Sequence, residues 1–189
     1  MPTWWATWRR GRGVLWDKLY GRQPAVAAFI AGLDPDVIRV RGTAVFMTGN
    51  SEVVPTALVR NIEHKQVLHE QVVLMTVSIH DIPHVPEERR VEVAELGAGF
   101  FRITASYGFM DEPDIPRALE FCKAPGLLPG FALTSYFIGR ETLIPTARPP
   151  MGPVETRVFA FLSAAGLSAT AYFRIPPERV VELGTQLEV

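Results

Sequence analysis

Four histidines, one cysteine and a few adjacent acids are the side chains of this 189-residue sequence best suited to acid–base, covalent or metal chemistry. His64 and His69 flank the entrance to one apolar run, and His80 and His84 sit in His80-Asp-Ile-Pro-His84. Zinc needs ligands converging from rigid elements, and Pro83 breaks any helix that would set the second pair on one face, so hydrogen-bonded or solvated histidines are expected. Cys122 follows Phe121 in a helical stretch, where a buried, inert thiol is the natural reading. A single cysteine closes no intramolecular disulfide. Glu87-Glu88 and Asp111-Glu112 lie in polar, loop-like stretches and read as solvated charge. No GxSxG elbow, Walker loop or Rossmann glycine fingerprint occurs, and Gly97-Ala-Gly99 belongs to a hairpin turn. Without a nucleophile, base and orienter in sight, the sequence predicts no enzyme, no metal site and no cofactor. Arg140-Glu141 inside an apolar strand is the exception that asks for a role: a paired arginine that fixes a loop, or recognition of an anion.

The elements that position these residues follow from hydrophobic patterning. Pro24 to Leu33 reads as two to three helical turns, stopped by Gly32 and Asp34-Pro-Asp36. Thr43 to Thr48 is a short buried strand. A helix begins after Pro55, with Leu58 and Ile62 one turn apart, and Gln71 to Ile79 is a second continuous apolar strand. Strand, helix and strand in this order predict a βαβ unit with parallel strands. The period then changes. Arg90–Glu95 and Phe100–Tyr107 alternate around Gly97–Gly99, which describes an antiparallel hairpin. Asp114 caps a helix through Cys122, Ser135–Ile144 is a strand, Pro153–Ala165 a helix, and Arg179–Val189 a last strand in which Gly184 marks a bulge. A proline-rich loop spans 146–153. The fold class is α/β (mixed α+β): one domain with a mixed parallel and antiparallel sheet flanked by helices, over 42–189, preceded by an arm and amphipathic segment over 1–41.

Charge is polarised along the chain. The first 22 residues hold five cations and one anion, net +4, whereas the remaining 14 cations and 19 anions give −5. A net charge of −1 offers no clustered positive surface for nucleic acid. Trp4, Trp5 and Trp8 stand beside Arg9, Arg10 and Arg12, a composition suited to the headgroup level of a membrane, with the arginines on the cytoplasmic side. An amphipathic helix packed on its own domain, or a partner-binding arm, would use the same residues. No stretch of about 20 apolar residues is present to span a bilayer.

Six segments in register resemble the C-terminal cytoplasmic region of the KUP/HAK/KT potassium-uptake family. They are Thr7-Trp-Arg-Arg-Gly-Arg12, Arg41-Gly-Thr-Ala-Val-Phe-Met-Thr48, Val67-Leu-His-Glu-Gln-Val-Val73, Tyr107-Gly-Phe109, Ser135-Tyr-Phe-Ile-Gly-Arg-Glu141 and the run Phe173 to Gln186. The resemblance singles out Gly42, Thr43, His69, Glu70, Gly139, Arg140, Glu141, Arg174, Pro176, Pro177, Glu182 and Gly184. Two positions depart from it: Lys65 follows His64 where Asn is usual, and Glu178 stands where Asn is common.

The resemblance implies a domain at the cytoplasmic face of the bacterial inner membrane, attached to the transmembrane domain of a transporter that carries potassium inward with protons. It further implies a regulatory or dimerising role, with a homodimer as the expected assembly and no transport by this part alone. A cyclic di-AMP-type or adenine nucleotide ligand is the alternative it allows.

Overall fold

The computed structural model describes residues 24–122, 133–144 and 169–188, with backbone alone at 140–144, 169 and 185–188. The arm at 1–23, the proline-rich loop and the helix expected over Pro153–Ala165 lie outside the described residues. Pro24 leads into α1 (Val26–Ala31), which ends at Gly32; it is followed by β1 (Ile38–Met47), α2 (Thr56–Lys65) and β2 (Val67–His80). A short 3-10 turn at Glu87–Arg89 leads into the hairpin β3 (Val91–Gly97) and β4 (Phe100–Gly108). Then come α3 (Ile115–Glu120), β5 (Thr134–Ile144), α4 (Ala169–Tyr172), a second 3-10 turn at Pro177–Arg179 and β6 (Val180–Glu188).

The six strands form one mixed sheet in the order β3-β4-β2-β1-β5-β6. β1 pairs in parallel with β2 and β5, β2 with β4, and β5 with β6, while β3 alone runs antiparallel, against β4. The parallel strands therefore lie in chain order third, second, first, fourth, fifth, the arrangement of doubly wound sheets, with the reversal between β1 and β5.

Both faces are packed. On one, Leu58 and Ala57 of α2 and Val26 of α1 cover Ala44, Phe46, Val72, Leu74, Phe100 and Phe137; on the other, Ile115, Ala118 and Leu119 of α3, with Ile175, cover Val45, Val73, Met75, Ile103, Tyr107 and Tyr136. Burial on two faces explains the unbroken apolar runs in β1 and β2.

Two strands begin earlier than the apolar runs do. β1 starts at Ile38 because the ladder to β2 shifts between Val40 and Thr43, letting the strand continue past Gly42 at φ +107°. A Cβ there would stand 2.5 Å from the Leu133 carbonyl, so the turn needs glycine. Gly184 is different from its expected role: β5 and β6 pair without a break from Tyr136–Val180 to Ile144–Glu188, so no bulge forms. A regular ladder accepts glycine when neighbouring pairs hold the register.

Candidate functional site

The resemblance-derived residues fall into three places. Gly42 and Thr43 lie midway along β1, and His69 and Glu70 near the amino end of β2. Thr43 Oγ1 donates to Gln71 Oε1 at 3.2 Å, both buried, and the His69 ring meets the edge of Phe137 at 5.9 Å. Burial, then Lys65, hold the His69 imidazole below its ordinary range. Gly139, Arg140 and Glu141 of β5 lie beside Leu183, Gly184 and Thr185 of β6, and Glu182 stands opposite Ile138. Arg174 follows α4, and Pro176 and Pro177 lead into the 3-10 turn. The sheet brings the second group together; it does not bring the three groups to one point. Trp4, Trp5, Trp8, Arg9, Arg10 and Arg12 lie outside the described residues.

Of these, Arg174 lines a cleft among the described residues. This cleft of about 260 Å³ opens where β4 ends and α3 begins, lined by Arg90, Tyr107, Asp114, Arg117, Phe121 and Arg174 together with Met110, Asp111 and Glu112. Tyr107 is its floor. The phenol donates to the Asp114 carbonyl at 3.0 Å and accepts the Asp114 N–H at 3.2 Å, and burial raises its pKa. Asp114 caps α3 as its sequence position predicts, Oδ1 accepting the Arg117 N–H at 2.9 Å.

Each guanidinium in the wall has a partner, although Arg90 Nε is buried without one among the described residues. Arg90 lies 5.3 Å from the Tyr107 ring centre and donates to the Val85 carbonyl at 2.9 Å. Arg117 reaches Glu87 at 2.9 Å and lies 5.9 Å from the Phe121 ring centre; Arg174 pairs with Glu112. The Arg174 backbone is left-handed at φ 53°, a conformation that a non-glycine residue holds only when its surroundings impose it. The described lining combines three arginines, three acids and two aromatic rings.

Of the other reactive candidates, Asp111 and Glu112 line the cleft and His84 meets it through Asp111, whereas His80 and Cys122 are not in its lining. His80 Nε2 meets Ser106 Oγ at 3.2 Å and His84 Nδ1 meets Asp111 at 2.7 Å. Among the described residues no three His, Cys, Asp or Glu side chains group for a metal ion. Cys122 is half-buried just past α3, its thiol on the Ala118 carbonyl and its pKa pushed up to about 11 by burial. Sequence reasoning missed Arg90, Arg117 and Phe121 because only the fold sets them around Tyr107; the Arg117 to Glu87 contact, for one, joins residues 30 positions apart. Tyr107 itself belongs to Tyr107-Gly-Phe109, one of the segments that carry the resemblance.

Residues 41–189 match the family model described as the K+ potassium transporter C-terminal domain. The chain is 50% identical over 184 residues to a probable potassium transport system protein Kup of Myxococcus xanthus, covering 97% of this chain and 28% of that protein. It is 47% identical to a probable Kup 1 protein of Paramagnetospirillum magneticum and 45% identical to one of Rhodopseudomonas palustris, covering 97% of this chain in each case and 29% and 30% of those proteins. The chain thus spans under a third of the length of these relatives. No solved structure matches it.

Proposed function

Because this chain belongs to the potassium-transporter C-terminal domain family, we propose that it serves a potassium-uptake transporter from the cytoplasmic face of the bacterial inner membrane. Its work there is regulation and dimerisation, and the proton-coupled ion path belongs to the membrane domain to which it is attached. One observation carries the reading: similarity runs through 97% of the chain to proteins named for potassium transport, yet takes in only 28–30% of their length. No helix among the described residues is long and apolar enough to cross a membrane, so the part that crosses is sought in the remaining length. The clustered Trp4, Trp5, Trp8 and Arg9, Arg10, Arg12 suit a segment lying against the headgroups.

Growth on limiting potassium tests this in a strain that depends on the full-length transporter. Deleting residues 42–189 is expected to lower or deregulate uptake while the membrane portion still inserts; unchanged uptake at equal membrane abundance refutes a regulatory role. Light scattering tests the dimer, and a monomer at high concentration refutes it.

A second reading has its own support in the strand order. Open α/β sheets bind ligands outside the carboxyl ends of their strands where the order reverses, here between β1 and β5. A cyclic di-AMP-type or adenine nucleotide there would make the domain a sensor. Binding to the folded state alone adds about 2.7 kcal/mol at a hundredfold excess over Kd. A thermal-shift screen with cyclic di-AMP, ATP, ADP and AMP should then give a saturable shift with one of them, and none with any returns the domain to scaffolding.

A further inference from the structure

Among the described residues, the sheet face that carries α2 is covered over its amino half and open beyond it. α1 and α2 lie over Ala44, Phe46, Val72, Leu74 and Phe100. Further along β2 and β4 the same face presents Thr76, Ser78, Arg102, Thr104 and Ser106, each half-exposed. Exposed Glu92 and Ala94 of β3 widen it, opposite Thr104 and Arg102. Arg102 is satisfied at one end only: Nη1 meets Glu52 at 2.8 Å, while Nε is buried without a partner among the described residues. A buried guanidinium N–H beside an open sheet face calls for an acceptor on whatever covers that face.

The chain enters the fold at the rim of this opening. Phe29 of α1 meets Phe100 edge-on, with ring centres 6.4 Å apart. Traced back from there, the backbone runs to Glu52–Val54: the Val26 N–H donates to the Glu52 carbonyl at 3.1 Å, and the Pro24 carbonyl accepts the Val54 N–H at 3.1 Å. Glu52 is the residue that reaches Arg102, so whatever precedes Pro24 joins the fold beside the open half and on its face. The other long connections run on the opposite side. From β4 to β5 and from β5 to β6 the chain steps across the sheet against the direction of β1 to β2, and right-handed crossovers then lie on the other face. α3 and Ile175, which belong to those connections, pack there.

We propose that the open half is the docking site of this chain's own residues 13–23, the stretch between the Trp–Arg cluster and Pro24. Its composition fits. Val14–Tyr20 stands between Gly13 and Gly21, and at helical spacing Leu15 and Leu19 are one turn apart, as are Trp16 and Tyr20. Trp and Tyr join a large apolar body to one polar atom, which suits a surface of threonine methyls, hydroxyls and an arginine stem. Asp17 is the one anion in the first 22 residues, and a carboxylate is the acceptor that Arg102 Nε lacks. The lengths agree as well: a helix over Val14–Tyr20 measures about 10 Å at 1.5 Å per residue, and Arg102 to Ser106 about 13 Å at 3.3 Å per residue. Docked there, the stretch leaves Trp4 to Arg12 for the headgroups and turns the open face of the sheet toward them.

The test uses the full-length transporter in membranes with Thr104→benzoylphenylalanine, irradiated and mapped by mass spectrometry. The expected product keeps the mass of one chain and joins position 104 to residues 13–23. A product of two-chain mass, a lipid adduct, a link to another segment, or labelling of 13–23 no greater than from the same probe at exposed Glu95 overturns the proposal. A second measurement needs no bulky probe on the sheet. Limited trypsin treatment of the native transporter should cut after Lys18 and Arg22 several-fold more slowly than in the double variant Leu15→Ser, Leu19→Ser, and equal rates count equally against docking. Neither readout involves potassium uptake, so the outcome is separate from that of the regulatory reading.

Discussion

Strand β2 passes through two environments, and its residues change type between them. From Gln71 to Met75 every residue is buried; from Thr76 to Ser78 each is half-exposed, and Ile79 and His80 face out. In the first half a crossover helix covers one face and α3 with its neighbours covers the other. In the second half the helix-bearing pattern fails. The β1-to-β2 connection contains α2, but the β2-to-β4 connection runs through a loop and the edge strand β3 instead. A crossover helix of the same hand would have lain on the α2 face. Where it is missing, alternation from Leu74 and Phe100 puts Thr76, Ser78, Arg102, Thr104 and Ser106 on that face. Arg102 reaches Glu52 there at 2.8 Å. The opposite face stays apolar, through Val77 and Tyr107 to the exposed Ile79. Coverage by a helix, and not strand pairing, decides which residues a strand tolerates.

The sharpest way to test this contrast is to remove packing where both faces are covered. Phe46 is fully buried and stacks on Phe137 with ring centres 4.5 Å apart. Phe46→Ala should cost about 3–5 kcal/mol in urea unfolding, the range for deleting a core ring. A loss below about 1 kcal/mol would mean that this half is no better packed than the other. Next in size is the backbone of the same half. Gly42→Ala must hold φ +107° and push against the Leu133 carbonyl, so a loss of roughly 1–3 kcal/mol is expected in the same assay.

The covered half is also the half that could be read from sequence. Continuous apolar runs in β1 and β2, with Leu58 and Ile62 spaced one turn apart between them, led to a parallel βαβ unit, and alternation around Gly97–Gly99 led to the hairpin; both are present. Asp114 was legible as a cap because its partner lies three residues away. The strand order was not legible, since no local pattern tells β5 to pair with β1 across more than 80 intervening residues. The cleft was hidden for the same reason: Arg90, Arg117 and Arg174 carry no shared spacing, and only the fold sets them around Tyr107. Gly184 misled because an isolated glycine in a strand often marks a bulge, and here the ladder simply continues.

Two threonines give a finer comparison. Thr43, in the covered half, donates to Gln71, while Thr76 Oγ1, at the start of the polar half, is buried without a partner among the described residues. Thr43→Val should cost about 1 kcal/mol, the net worth of an ordinary hydrogen bond. Thr76→Val should be neutral or slightly stabilising, because it removes a hydroxyl that gains nothing from the fold. Equal losses at both sites would erase the distinction between the halves.

The smallest expected effect is that of pH on the covered half. His69 has its folded pKa lowered by burial and then by Lys65, so the folded state favours the neutral ring. The unfolded chain takes up a proton near the ordinary value of about 6.5. The sign follows from linkage: the contribution is fully present above that pH and is lost as pH falls through it toward the folded value. The half-exposed ring is screened by solvent, which keeps the slope shallow. Urea midpoints measured from pH 8 down to pH 5 should therefore decline gently in the native chain, and His69→Gln should flatten that part of the curve. A decline that survives the substitution would assign the titration to another group and leave the packing around Phe137 indifferent to charge.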